Sequence, residues 1–187
     1  MTGTITSVAD FDLSVEELRL VACFVADASE PLIAQAAEPL IPGYETARPD
    51  DPRPGAAVAA ARAFITGAPR SRWQRLASMD AHRAAAESGT ESARLAAQAA
   101  GDAACAAYLH PIAKAHQVGH ILRADANAAR IAEIVDGPFA AARVLESARR
   151  RAEPGLVDVL RRYPPHTSAS NRVAQLISAL DSALRSR

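Results

Sequence analysis

The stretch from Thr90 to Asp136 constrains the fold more than any other part of the chain. It is rich in alanine, which is the best helix former and a poor strand former. A His-Pro pair, His110 and Pro111, interrupts it, so the stretch predicts one helix before this corner and a second helix after it. We therefore predict an all-α fold, a single-domain, alanine-rich helical bundle of about seven to nine helices.

The chain of 187 residues is long enough for one hydrophobic core. Nearly half of its residues are hydrophobic but only 4% are aromatic, so the core must form by close approach of helices rather than by large side chains. Residues 1–13 are polar and rich in threonine, and we expect them to be a flexible leader. Residues 14–187 should form the single helical domain.

Charge and cysteine content exclude several classes of protein. The 21 basic residues balance 21 acidic ones, which argues against a nucleic acid or an anionic membrane as the partner. No apolar run approaches the ~20 residues of a membrane span. Cys23 and Cys105 lie in apolar helical patterns, as expected of free thiols in a reducing compartment. We expect a cytoplasmic protein.

Helix start and stop signals divide the first half of the chain. Ser14 and Glu17 have the spacing of a capping box, and Pro31 should break or kink the helix that follows. Asp51 before Pro52 predicts a helix start, with Asp51 as the capping residue. The remaining signals predict a stop at Gly67, a start at Ser71 and a stop at Gly89.

The helix after Ser71 has an apolar stripe that we expect to be buried. Trp73 and Leu76 lead this stripe, and Ala77, Ala81 and Ala84 continue it. Asp80 interrupts the stripe, either as a partner of an arginine from a neighbouring helix or as a site carboxylate. His82 lies on the opposite side, where small neighbours indicate that another helix passes.

The His-Pro corner should place Pro111 as the first residue of the next helix, with His110 as its N-cap. Val118, Ile121 and Leu122 then define the buried side of that helix. Later signals predict three further helices, over 139–151, 155–162 and 171–187. The first of these ends in three arginines, Arg149, Arg150 and Arg151, which the helix dipole favours there.

Two polar lines are the candidate functional features. Glu91, Arg94 and Gln98 share one narrow arc of the first alanine-rich helix, and Asp102 lies where that arc becomes apolar. A buried carboxylate at Asp102 needs a partner. The second line, on the helix after the corner, comprises His116, His120, Arg123, Asn127 and Arg130.

A metal centre is one interpretation of the second line. His116 and His120 lie four residues apart and could both reach one ion, although local sequence fixes no third ligand. His110 should lie roughly 15 Å from His120 along the same helix, too far to share an ion. We therefore expect no bound metal and no cofactor, and regard the histidines as hydrogen-bonded structural or partner-facing groups.

The chain contains no nucleophile motif such as G-x-S-x-G and no glycine-rich phosphate loop, so we assign no catalytic residue. Two alternatives stay open beside a binding protein. One is a metal-dependent enzyme that uses His116 and His120. The other is a helical scaffold or oligomerisation module, for which a homodimer would be the simplest form.

The chain resembles the immunity-five-like family of bacterial immunity proteins associated with polymorphic toxin systems. The resemblance spans roughly Leu13 to Leu184. It rests on seven segments in order: Asp50–Pro54, Ala61–Phe64, Ala81–Ala85, Ala99–Ala103, Tyr108–Pro111, Val118–Leu122 and Val159–Pro165.

This resemblance implies an all-helical domain that binds and neutralises a cognate protein toxin, without catalysis. We expect removal of Asp51 to cost stability rather than function, and we expect Arg53 to pair with Asp50 at an exposed helix end. The resemblance implies six binding residues: Asp51, Arg53, His82, Asp102, His110 and His120. We add Arg123, which lies on the same side of its helix as His120.

Overall fold

The computed structural model describes residues 11–33, 44, 48–167 and 170–187. Over these ranges the chain forms eight α-helices, one short 3-10 turn and no β-strand, which confirms the all-α prediction. The helices are α1 (Val15–Ile33), α2 (Arg53–Ile65), α3 (Arg72–Ala86), α4 (Glu91–Cys105), α5 (His116–Asp136), α6 (Ala140–Arg151), α7 (Pro154–Arg161) and α8 (Arg172–Arg185).

The first helix begins as its sequence predicts. The backbone N–H of Ser14 donates to Glu17 Oε2 at 2.8 Å, and the N–H of Glu17 donates to Ser14 Oγ at 3.1 Å. The helix does not break at Pro31 but continues to Ile33. The predicted second piece beyond Ile33 lies outside the described residues, as do residues 1–10 of the predicted leader.

Helix α4 is the centre of the bundle and packs against α1, α2, α3 and α5. Alanine occupies seven of its 15 positions, and Ala97, Ala99, Ala100 and Ala103 are fully buried. These small side chains let the neighbouring helices approach closely and add dispersion contacts. α5 packs on α4 and also contacts α6 and α8, so the last three helices complete the bundle on that side.

The predicted buried stripe of α3 is wrong at its large residues. Trp73 and Leu76 are 48% and 42% exposed, whereas Ala81 and Ala84 are fully buried. The buried arc is therefore shifted around the helix toward the small side chains. Asp80 also differs from the prediction, because its ion pair is with Arg83 of the same helix.

The prediction for the His-Pro corner is wrong as well. α4 ends at Cys105, a 3-10 turn covers Ala106–Tyr108, and α5 begins only at His116. His110 therefore caps no helix and lies in the connecting segment, where its carbonyl accepts from the hydroxyl of Tyr163 at 3.0 Å. The predicted distance between His110 and His120 assumed that both lie on one helix, so that prediction does not apply.

Helix ends elsewhere fall close to the predicted positions. Gly67 has φ +116° and Gly137 has φ +92°, a backbone conformation that glycine adopts without strain, and each follows the end of a helix. Val118, Ile121 and Leu122 are fully buried, as predicted. Of the described helices, none combines the length and apolar character needed to cross a membrane.

Candidate functional site

The two polar lines face each other across the α4 and α5 interface. Three side chains of the first line pair with side chains of the second line, which the sequence did not reveal. The cross-interface pairs are Arg130 Nε with Glu91 Oε1 at 3.0 Å, Asn127 Nδ2 with Gln98 Oε1 at 3.2 Å, and Arg123 Nε with Asp102 Oδ2 at 2.7 Å.

Asp102 lies at the buried end of this interface, with 1% of its surface exposed. Arg123 contacts both carboxylate oxygens, through Nε and through Nη2, so the pair has the two-pronged geometry that matches guanidinium to carboxylate. The prediction that a carboxylate here requires a partner is confirmed. His82 Nε2 lies 3.8 Å from Asp102 Oδ1.

His82 reaches Asp102 because α4 has a glycine at the crossing point. A Cβ atom on Gly101 would lie only 2.8 Å from His82 Nε2, so the imidazole occupies the space that any side chain would take. This contact confirms that another helix passes beside His82. Burial lowers the pKa of His82, against the opposing attraction of Asp102.

His120 belongs to the same group of charges. Burial lowers the pKa of His120. The negative charge of Asp102 raises this pKa, and the positive charge of Arg123 lowers it further. Burial also raises the pKa of the Cys105 thiol, which favours the thiol over the reactive thiolate. The four residues His82, Asp102, His120 and Arg123 thus form one partly buried group, which we call the histidine cluster.

A cavity of about 380 Å³ lies beside the histidine cluster and contains His110 in its wall as well as His120. The corner therefore brings these two histidines to one cavity, although they do not share a helix. The other residues that line it are Arg75, Ser78, Met79, Cys105, Tyr108, Leu109 and Gln117.

His116 contributes little to this arrangement. Its ring centroid is 6.5 Å from that of His120 at an interplanar angle of 82°, and its Nε2 pairs with the side-chain amide of Gln117 at 2.8 Å. Within the part of the chain that the structure describes, no group of three or more histidine, cysteine, aspartate or glutamate side chains is placed to hold a metal ion.

Asp51 and Arg53 lie in a different arrangement, at the start of α2. Asp51 accepts from the Tyr44 hydroxyl at 2.7 Å, from the Arg53 N–H at 3.2 Å and from Arg53 Nε at 2.8 Å. Arg53 also bridges to Glu87 after α3 at 2.6 Å. The prediction that Arg53 pairs with Asp50 is therefore wrong, because Arg53 pairs with Asp51 and Glu87 instead. The hydrogen bond from Arg53 holds the pKa of Asp51 well below its usual range.

Sequence reasoning missed a second buried carboxylate, Asp125 of α5. Arg151 Nη2 donates to its two oxygens at 2.8 and 3.1 Å and to the carbonyl of Phe24 at 3.2 Å. The guanidinium also lies over the Phe24 ring, 4.5 Å from its centroid. Burial raises the pKa of Asp125 to about 6, against the attraction of Arg151. Its position three residues after buried Leu122 was a signal that could have identified it.

Of the arginine run at the end of α6, only Arg149 and Arg150 fit the expectation of a solvent-facing helix end, and both pair with Glu146. Arg151 turns inward to Asp125. It joins α6 to α1 and α5, which makes it part of the core rather than a surface cation.

Comparison with known proteins adds one family. A family model described as "Imm-5 like putative immunity protein" matches residues 32–152. The match contains every predicted binding residue from Asp51 to Arg123, but it is shorter than the expected resemblance and leaves out the Val159–Pro165 segment. No curated protein and no solved structure matches the chain.

Proposed function

The chain belongs to the Imm-5 like family of immunity proteins, and from this membership we propose that it binds and neutralises a cognate bacterial protein toxin. The observation that carries the proposal is the family match, which covers residues 32–152 and includes the whole α2 to α5 region. We further propose that it acts in the cytoplasm of a bacterial cell, by binding alone.

The chemistry of the histidine cluster supports binding rather than catalysis. The Asp102 carboxylate is occupied on both oxygens by Arg123. The neighbouring thiol of Cys105 has a raised pKa, so it is a poor nucleophile at neutral pH. A base for general catalysis should have a pKa near the working pH, and burial moves His82 and His120 away from it in the acidic direction.

We assign the predicted binding residues different roles within this function. His110 and His120, which line the cavity, are proposed as partner-facing groups together with His82, while Asp102 and Arg123 hold His82 and His120 in position. The resemblance implies all of these residues as one binding set. Asp102 is buried, so it can act on a partner only through its neighbours.

Asp51 and Arg53 are proposed to act on stability. They link the start of α2 to Tyr44 and to Glu87 at the end of α3, so they fix the position of α3 relative to α2. Removing Asp51 would leave Arg53 with one carboxylate partner instead of two. This contribution needs neither a cofactor nor a metal.

Growth protection tests the proposal. The product of the reading frame next to the gene for this chain, as the candidate toxin, is expressed in a bacterial host from an inducible promoter, with and without the chain. We expect growth arrest by the toxin alone and normal growth when the chain is present. A toxin domain of unrelated sequence is the control and should not be neutralised. Arrest that persists when the chain is present at equal or higher levels would contradict the proposal.

A further inference from the structure

Three large apolar side chains line the outside of α3. Trp73, Leu76 and Met79 are 48%, 42% and 55% exposed. Residues three apart are neighbours on a helix surface, so the three form one continuous row, which we call the α3 row. Large apolar residues that cluster on a surface mark interaction sites more often than single ones do.

Three arginines flank the α3 row without acidic partners. Arg70, Arg72 and Arg75 are exposed and make no ion pair with any residue that the structure describes. Most other arginines of the described chain do pair with carboxylates, as Arg83 does with Asp80 on this same helix. The row is therefore set in a locally basic surface, although the chain as a whole carries no net charge.

The cavity beside the histidine cluster opens at the end of this row. Met79 belongs to the row and also lines the cavity, and Arg75 lies in the cavity wall next to it. The guanidinium of Arg75 lies 5.3 Å from the ring centroid of Tyr108, and that of Arg70 lies 6.0 Å from it. The row, the arginines and the cavity thus form one surface.

Two polar atoms in the cavity wall residues lack a partner. Gln117 Oε1 and His120 Nδ1 are buried and make no hydrogen bond to any described residue. A buried polar atom without a hydrogen bond costs free energy, so a donor that enters the cavity would be stabilised there. Gln117 is buried as a whole, with 3% of its surface exposed.

We propose that the α3 row and the adjoining cavity are the surface that binds the toxin, which presents an acidic face and inserts one tyrosine or tryptophan side chain into the cavity. This inference rests on the proposed function. Carboxylates are required because a partner that covers three unpaired arginines must replace the water around them. An aromatic side chain with a hydroxyl or indole donor fits both the apolar walls and the unpaired acceptor.

Trp73→Ala is the first test, in a calorimetric titration of the chain with the purified toxin domain from the adjacent reading frame. Exposed aromatic anchors at protein interfaces dominate binding, so we expect the dissociation constant to rise by at least about 30-fold. Phe139→Ala is the matched control, because Phe139 is apolar and 86% exposed but lies at the start of α6. Its dissociation constant should equal that of the wild type. Helical circular dichroism and melting temperature confirm that both variants are folded.

Arg75→Glu tests the charge of the partner. We expect about 10-fold weaker binding or more, and a smaller loss of affinity on addition of salt, because one attractive contact has become repulsive. Arg150→Glu is its control, since the Arg150 side chain is 72% exposed on α6. Tighter binding of Arg75→Glu would show that the toxin face is basic and would overturn the proposal.

Gln117→Leu tests the cavity. It removes Gln117 Oε1, which has no partner among the described residues, and also the pairing of the side-chain amide with His116 Nε2. Because leucine places an apolar side chain at this buried position, we expect the melting temperature to stay close to that of the wild type while binding weakens. Unchanged binding would overturn the insertion of a donor side chain.

The outcomes separate the two proposals. If the wild-type chain neither binds nor protects, the immunity function fails and the surface assignment with it. If the wild type binds but Trp73→Ala binds equally well, only the surface assignment fails. Light scattering tests a second copy as the occupant: we expect a monomer, and a dimer that Trp73→Ala dissociates would overturn binding of the toxin at this face.

Discussion

The inner and outer faces of α3 are built from opposite kinds of side chain. Ala77, Ala81 and Ala84 are buried on the side of α3 that packs into the bundle, whereas Trp73 and Met79 lie on the solvent side. Ranking residues by hydrophobicity would reverse this arrangement. The comparison shows that small side chains, and not the large apolar ones, form the buried face of α3, which permits close packing between helices.

Substitutions on the two faces of α3 should have different effects on stability. Where α3 packs on α4 its side chains have fixed neighbours: a methyl group added at Gly101 would collide with the His82 ring. The outer face meets solvent in the free chain, so substitutions there should change binding rather than folding. Four measurements can break or sharpen this distinction.

Arg123→Met should give the largest effect on stability. It keeps the aliphatic stem but leaves Asp102 buried without a cation, which typically destabilises a protein by about 3–5 kcal/mol. Arg75→Met, on the outer surface, should change the free energy of unfolding by no more than about 0.5 kcal/mol. Urea unfolding of both variants checks the pair, and equal losses would remove the distinction between the faces.

Gly101→Ala should have an intermediate effect. The new methyl group would lie within 3 Å of the His82 ring, and overpacking of this kind costs about 1–3 kcal/mol. Gly119→Ala in α5 is the control, because nothing lies within 4 Å of its added Cβ and alanine stabilises a helix interior by about 0.5–1 kcal/mol relative to glycine. Thermal unfolding should therefore shift in opposite directions for the two variants.

A matching loss in both glycine variants would contradict the close contact at His82. Combining Gly101→Ala with His82→Ala gives a further check. If the imidazole is the obstacle, the double variant should lose less stability than the two single losses added together.

The pH dependence should give the smallest effect. Burial lowers the pKa of His82 below its usual 6.5, so the unfolded chain binds its proton more readily than the folded chain does. Stability from this residue is present above pH 6.5 and is lost as the pH falls below it. Asp125, with a pKa raised to about 6, acts in the opposite direction, because the folded chain gains stability as its carboxyl protonates.

Comparing the wild type with His82→Gln separates the contribution of His82 to the pH dependence from that of Asp125, because Asp125 is present in both. The difference in unfolding free energy, wild type minus His82→Gln, should fall as the pH is lowered from 7 to 5. A difference that rises over this range would mean that Asp102 dominates the titration of His82 in place of burial.

The sequence predicted most helices because their signals are local. The capping box at Ser14, the stop at Gly67 and the stripe of Val118, Ile121 and Leu122 depend only on residues within a few turns. The helix error at Pro111 involves proline, which is compatible with a helix start or with an irregular connection. The local sequence did not distinguish these two, and the connection before His116 is irregular.

The site was less predictable because it depends on pairing between helices. Periodicity showed that Asp102 needed a partner, but only the α4 and α5 packing identifies Arg123. Asp125 and Arg151 lie 26 residues apart in the chain, and no spacing rule connects them. The exposure of Trp73 could not be read from α3 itself, because it depends on which face of this helix packs into the bundle.

Oxidative footprinting of Trp73 and Met79 tests the outer face of α3 most directly. Hydroxyl radicals modify exposed tryptophan and methionine side chains, and mass spectrometry reports the rate at each residue in the free chain and in its complex with the toxin domain. We predict rapid modification of both residues in the free chain, strong protection in the complex, and an unchanged rate at Phe139. Protection of Phe139 with continued modification of Trp73 and Met79 would contradict the account.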